Sequence, residues 1–258
     1  EHFTGEIISA DSRQVYRQMD IGTGKDLKEY GKIPYHLIDI IDPHHEYNLF
    51  EFARDFCNSY SLITESNKLP FLVGGTGMYI DAVLSRYKLT IAKYCQKSRL
   101  ELEKKSDSEL VNLLRSFNPC LHNTTDLNDR ERLINAIAIS LADKNNEPTI
   151  SWPEFQPLIL GIRVPRETIK QRITKRLKER FEEGMIEEVQ QLKKQGISTE
   201  KLYYFGLEYR YINTYLEGQL NYNDMFQKLN SSIHYFAKQQ EKWFRKMESK
   251  NHKIEWID

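Results

Sequence analysis

The sequence predicts an α/β fold: a parallel-sheet core, a helical insertion, and a helical C-terminal part. Three observations carry this. Strand-like and helix-like segments alternate over residues 1–90, the pattern of a parallel sheet covered on both faces. A Gly-rich turn, Gly74-Gly75-Thr76-Gly77, joins a strand-like run to a helix-like one. Beyond Pro165 the chain reads as long helices, with Gly184, Gly196 and Gly218 as C-caps. A chain of 258 residues can bury a sizeable core and hold one or two domains.

Glu6-Ile7-Ile8 reads as the first strand, and Ser9-Ala10-Asp11-Ser12-Arg13-Gln14-Val15-Tyr16 follows its C-terminal end. Reacting groups of α/β domains collect at such ends. The segment lines up carboxylate, hydroxyl, guanidinium, amide and phenol groups. Asp11 could instead simply cap the next helix, as an Asp after a strand usually does. Tyr35–Ile40 is a second β-rich run. Asn48 opens a helix with Glu51 as its capping-box partner, and Phe52, Phe56, Tyr60 and Ile63 recur at helical spacing. Leu69–Val73 reads as a buried strand and Met78–Leu84 as a helix.

From Lys93 to Ala142 the pattern turns helical and polar. Ser106 with Glu109 is a second capping box, Asn118-Pro119 stops the helix it starts, and a loop from His122 to Asn128 precedes a helix near Asp129. Residues 93–154 are therefore predicted to be a helical insertion, with 1–92 and 155–258 as the core. Leu158–Val164 returns to strand, followed by helices Arg166–Glu183, Met185–Gln195, Tyr203–Leu216 and Asn223–Met247. The chain opens at Glu1, so a native N-terminal segment is expected to precede it, and the abrupt change between Leu89 and Ile91 marks a candidate omitted loop.

Formal charge is zero but uneven: residues 161–258 hold 19 Lys+Arg against 14 Asp+Glu, and residues 1–160 hold 18 against 23. The second part therefore suits an anionic partner. Cys57, Cys95 and Cys120 are widely spaced, which points to reduced thiols in a cytosolic setting rather than a zinc site. No histidine has metal-ligand spacing, His44-His45 reads as loop, and no apolar span of membrane length is visible.

Four groups could carry chemistry. The Gly74–Gly77 turn lets backbone approach a ligand at a helix start, although a plain tight turn explains it equally well. Asp129–Asn135 opens a helix with mixed charge, a common solvated surface, in which the Arg132 guanidinium could meet phosphate. Arg166–Arg180 carries Arg166, Lys170, Arg172, Lys175, Arg176, Lys178 and Arg180. Near the C-terminus Tyr235, Lys238, Lys242 and Arg245 share a helix face, beside a core-facing stripe of Phe236, Trp243 and Met247. A basic face with interleaved aromatics suits a nucleic-acid backbone, and a solvated helix explains it too.

Taken together these pieces resemble the tRNA dimethylallyltransferases (isopentenyl-diphosphate:tRNA transferases), in order and over nearly the whole chain. The matching runs are Glu6–Ser12, Met19–Lys25, His36–Asp39, Asp42-Pro43, Val73–Tyr79, Asn128-Asp129 with Arg132-Leu133, Ala237–Gln240 and Trp243–Arg245. The resemblance implies a nucleotide-binding, P-loop NTPase-like core, an insertion that grips the tRNA anticodon stem-loop, Mg²⁺ as cofactor, and a cytoplasmic monomer. The implied reaction moves a dimethylallyl group from dimethylallyl diphosphate to the exocyclic amine of the adenine next to the anticodon, a base that must be extruded from its stack. Asp11 and Thr76 would be catalytic, Asp11 holding the amine and taking its proton once nitrogen becomes cationic. The implied tRNA contacts are Asp11, Ser12, Arg13, Gln14 and Thr76; Arg99; Glu131, Arg132, Leu133, Ile134 and Asn135; Phe205, Gly206, Leu207, Glu208, Tyr209 and Arg210; and Lys238, Lys242 and Arg245. Gly74 and Gly75 would meet the diphosphate.

The phosphate loop apart, departures from the family pattern concern tRNA affinity or tRNA choice more than chemistry. The Gly-rich phosphate loop is expected ahead of Glu1. Glu208-Tyr209-Arg210 stands for Gly-Tyr-Arg with Gly206 displaced by two, Gln239 replaces an Arg, and Asn135 stands where a second Arg is usual. Three alternatives stay open: an adenylate isopentenyltransferase acting on free AMP, a non-catalytic RNA-binding descendant, and a P-loop kinase. The helical insertion and the Trp243-Phe244-Arg245 helix favour tRNA.

Overall fold

The computed structural model describes residues 3–89, 96–117, 130–144, 149–250 and 252–257, without the side chains at 96–99, 131–132 and 142–144. The chain divides into two compact units, Glu1–Arg86 with Trp152–Asp258, and Tyr87–Ser151.

In the larger unit β1 (Gly5–Ser9), β2 (Tyr35–His36) and β3 (Leu69–Val73) form a parallel sheet in the order β2-β1-β3. β1 pairs with β3 from Gly5 opposite Leu69 to Ser9 opposite Val73. Parallel neighbours need a crossover, which α1 (Leu49–Glu65) supplies ahead of β3. The Asn48 side chain accepts the Glu51 N–H and Glu51 accepts the Asn48 N–H, both at 3.0 Å, so the predicted capping box forms. Phe52, Phe56 and Ile63 face the core, and Phe52 stacks at 3.9 Å on Tyr79 of α2 (Gly77–Leu84).

Two strand expectations are corrected. Within Tyr35–Ile40 only Tyr35 and His36 pair, because Leu37 and Asp39 turn to φ of 63° and 56°, outside the extended region. Leu69–Val73 is a strand but not a buried one. Among the described residues it forms an edge of its sheet, with Leu69, Phe71 and Val73 exposed.

Glu6 ties the sheet together, accepting from Lys68 Nζ and meeting His36 Nε2, each at 2.6 Å. The Lys68 hydrogen bond first, and then that of His36, hold the Glu6 carboxyl below its usual range. A lowered acid contributes stability above its unfolded pKa and loses it as pH falls through its folded value. Glu6→Gln is thus expected to lower Tm at neutral pH, with the deficit closing as pH falls below about 4. Melting curves across pH check this, and a deficit independent of pH would contradict it.

The C-terminal part contributes β4 (Leu160–Ile162) and β5 (Glu255–Ile257), a parallel pair. Sequence reading missed β5, since three residues show no alternation. Gly184, Gly196 and Gly218 follow three helix ends at φ of 101°, 88° and 73°, the left-handed geometry of a C-cap. The helices are α6 (Arg166–Glu182), α7 (Met185–Lys194), α8 (Thr199–Phe205), α9 (Leu207–Leu216) and α10 (Tyr222–Ser249). The predicted Tyr203–Leu216 helix is thus two helices, because Gly206 breaks it at φ 128°, ψ −166°. On α10 Met247 is buried and Trp243 half-buried, but Phe236 is 53% exposed, so the predicted core stripe stops short of it. Ile8, Val15, Tyr16, Met19, Phe52, Met185, Val189, Tyr209 and Leu229 share one core, joining sheet and helices.

The smaller unit packs α4 (Asp107–Phe117) and α3 (Gln96–Glu103) on α5 (Arg130–Lys144) around Leu102, Leu110, Leu114, Leu133, Ile134 and Ile137. Ser106 N–H donates to Glu109 at 2.8 Å and Glu109 N–H returns to Ser106 Oγ at 3.4 Å. Ile91, Asn118-Pro119, the His122–Asn128 loop, Asp129, Cys95 and Cys120 lie outside the described residues.

Candidate active site

Parallel pairing brings the C-terminal ends of β1 and β3 side by side, and with them the Asp11 segment and the Gly-rich turn. Ala10 N–H donates to Val73 O at 2.7 Å, and Thr76 N–H donates to Ala10 O at 3.1 Å. Only a residue without a side chain allows this seam: a Cβ on Gly74 would lie 2.4 Å from Ala10 O. Ser12 N–H then donates to Thr76 Oγ1 at 3.0 Å, and Thr76 Oγ1 makes a longer contact, 3.4 Å, to Ser12 Oγ.

Asp11 is half-buried. Its Oδ1 accepts the backbone N–H of Arg13 at 2.8 Å and of Gln14 at 3.3 Å. The capping role is thus present, on one oxygen and for the local turn, while Oδ2 makes no hydrogen bond among the described residues. Gln14 is locked as well, accepting from Ser9 Oγ at 3.2 Å and donating from Nε2 to Gly24 O at 3.0 Å. The Arg13 guanidinium lies 4.7 Å over the Tyr204 ring.

α10 also holds the Gly-rich turn. Gln240 Nε2 donates to Gly75 O at 2.9 Å, and the Trp243 ring packs on Gly77. Trp243 Nε1 is buried with no partner among the described residues.

Charge gathers around Asp11. The Arg180 side chain, 12% exposed, lies against Gly24 and 3.9 Å from Asp26. Burial, and then the neighbouring Arg176, hold Arg180 below its usual range, while Glu208 and Asp26 oppose this. Burial pushes the Glu208 carboxyl up; its own backbone N–H and the charges of Arg180 and Arg176 oppose this, and Asp11 adds to it. The Tyr30 phenol is raised by burial, then by Asp11 and Asp26.

Asp11, Ser12, Arg13, Gln14, Gly74, Gly75 and Thr76 thus meet in one place. Phe205 and Tyr209 are buried in the core, Phe205 edge-on to Tyr16 at 4.9 Å; Gly206, Leu207 and Glu208 are half-buried, and Arg210 is the exposed residue of that stretch. Lys238, Lys242 and Arg245 are exposed along α10, with Arg245 paired to Glu241. Leu133 and Ile134 are buried in the smaller unit's core and Asn135 is exposed. The side chains of Arg99, Glu131 and Arg132 lie outside the described residues. Sequence reading named Arg180 within a basic run and Gln240 within a family-matching run, but set neither beside Asp11. For Arg180 the available signal was its place one turn after Arg176, on the same face of α6.

Comparison with known proteins identifies the family. The family model described as IPP transferase matches residues 14–247. The tRNA dimethylallyltransferase 1 of Geotalea uraniireducens is 55% identical over 255 residues, covering 99% of this chain and 84% of that protein. Among solved structures, the full-length tRNA isopentenylpyrophosphate transferase of Bacillus halodurans is 31% identical with a TM-score of 0.68, covering 98% of this chain and 81% of that one. A eukaryotic dimethylallyltransferase acting on tRNA shares the fold at a TM-score of 0.80 and 24% identity, over 98% of this chain and 67% of that one. With a family model spanning most of its length and a relative this similar, the chain belongs to the IPP transferase family, that of the tRNA dimethylallyltransferases.

Proposed function

We propose that this chain transfers a dimethylallyl group from dimethylallyl diphosphate to the exocyclic amine of the adenine adjacent to the anticodon in tRNA. The observation that carries the reading is the division of labour at Asp11: Oδ1 is fixed by two backbone N–H groups while Oδ2 makes no hydrogen bond among the described residues, and the next residue, Ser12, ties the segment to Thr76. A carboxylate oxygen held in this way can accept a hydrogen bond from an amine without reorganising. Thr76 Oγ1 has taken the Ser12 N–H with one lone pair and keeps another for the same amine.

The amine nitrogen attacks the allylic carbon, the N–C bond forming as the C–O bond to diphosphate breaks. The proton released from the cationic nitrogen passes to Asp11. Gly74 and Gly75 let backbone approach the diphosphate. Lys238, Lys242, Arg245 and Arg210, all exposed, supply cations for the RNA backbone. A P-loop NTPase-like core, a tRNA-gripping helical unit and a monomeric state belong to the same reading. Among the described residues no group of three or more His, Cys, Asp or Glu side chains could hold a metal ion. Mg²⁺ belongs to the same reading: such an ion is held largely by substrate phosphates and water, with one or two carboxylates from the protein.

Labelled dimethylallyl diphosphate, offered with unmodified tRNA and with AMP in parallel, tests the reading. Label is expected in tRNA, on the adenine beside the anticodon. Label in AMP alone would turn the assignment to an adenylate prenyltransferase, and label in neither would reject transferase activity.

A further inference from the structure

Glu188, in the first turn of α7, accepts four hydrogen bonds. Oε2 takes the backbone N–H groups of Asp20 and Ile21, both at 2.7 Å. Oε1 takes the Gly22 N–H at 3.0 Å and the Tyr209 hydroxyl at 2.8 Å. Three successive amides turned towards one point form an anion-binding nest, and here the anion is supplied by the chain itself. An acid in a first helical turn ordinarily serves its own helix, which is why spacing did not single this one out. Tyr209 is buried and its ring fills the space beside Gly22, where a Cβ would lie 2.7 Å from Cζ.

The clamped loop leads back to the site. The buried Lys25 closes its end, donating to Tyr16 O at 2.7 Å and Asp20 at 2.6 Å, and pairing with Asp39. Gly24 O, inside the loop, accepts Gln14 Nε2 at 3.0 Å, and the Gln14 backbone N–H donates to Asp11 Oδ1 at 3.3 Å. Glu188 thus reaches Asp11 through the loop and Gln14, without contacting it in any hydrogen bond described.

We propose that Glu188, braced by Tyr209, is a positioning residue of the transfer reaction. It holds loop 19–25 so that Gly24 keeps Gln14, and Gln14 keeps Asp11, in the orientation the amine needs. The proposal rests on the reading of Asp11 as the group that receives the amine.

Glu188→Gln places an amide NH₂ against backbone donors while keeping the side chain's size. It is expected to lower kcat about 10- to 100-fold, leaving the KM for tRNA within about threefold, and Glu188→Asp should recover part of the rate. Gln14→Ala removes the next link. Because both act along one path, the double variant should be about as slow as the slower single one, a non-additive cycle. Multiplied effects, an unchanged kcat, or a raised tRNA KM at normal kcat would each overturn the proposal. If Glu188→Gln does not fold, Tyr209→Phe removes a single hydrogen bond and enters the same cycle. Normal turnover in Asp11→Ala would reject the reading of Asp11, whereas non-additivity between Glu188 and Gln14 would still report their linkage.

Discussion

Asp11→Ala is expected to cut dimethylallyl transfer by about 10²-fold or more, as for loss of a positioned acid–base group, while tRNA still binds. The alanine also removes a turn cap, at a cost of about 1 kcal/mol, so Asp11→Asn is the sharper variant. Asparagine keeps a carbonyl oxygen for the Arg13 and Gln14 N–H groups that Oδ1 now accepts. It loses the carboxylate that would take the proton. Asn should therefore match wild type in Tm and Ala in rate. Single-turnover rates, tRNA binding and melting curves for both variants check this. Wild-type turnover in Asp11→Asn would leave Asp11 as a cap and nothing more.

Gly74→Ala should be nearly as damaging, for a different reason. The added Cβ would lie 2.4 Å from Ala10 O and 2.9 Å from Ala10 Cα, both backbone atoms. Neither can swing aside as a flexible side chain would, so the end of β1 and the Gly-rich turn must separate. Overpacking of this kind costs about 1–3 kcal/mol. The functional loss should exceed the stability loss, because Thr76 is placed by the same seam and a shift of about 1 Å can cost about 10²-fold in rate. Chemical denaturation and turnover measured on one preparation check both parts. Normal stability together with normal turnover would show that the two loops need not touch.

Much of this architecture was legible in the sequence, because its signals are local. The capping box at Asn48, the helix ends at Gly184, Gly196 and Gly218, and the spacing of Phe52, Phe56 and Ile63 each depend on a few neighbouring residues. The misses share a physical cause too. β5 is three residues long, and Gly206 breaks a helix whose apolar period continues across it. The exposure of Leu69, Phe71 and Val73 depends on strand order, which composition does not encode. At the site, Asp11 announced itself by following a strand end, while the roles given to it and to Thr76 came from the family resemblance. Arg180, Glu188 and Gln240 did not announce themselves, since each reaches the site from a helix distant in sequence, and charge or amide character on a helix surface ordinarily means solvation.

The central claim is that Asp11 Oδ2 and Thr76 Oγ1 receive one adenine amine. A crystal structure with a tRNA anticodon stem-loop and an unreactive analogue of dimethylallyl diphosphate measures this directly. The amine nitrogen is expected within about 3 Å of both oxygens, with the analogue's allylic carbon on its other side. An extruded base seated elsewhere, with Oδ2 bonded to protein instead, would contradict the claim.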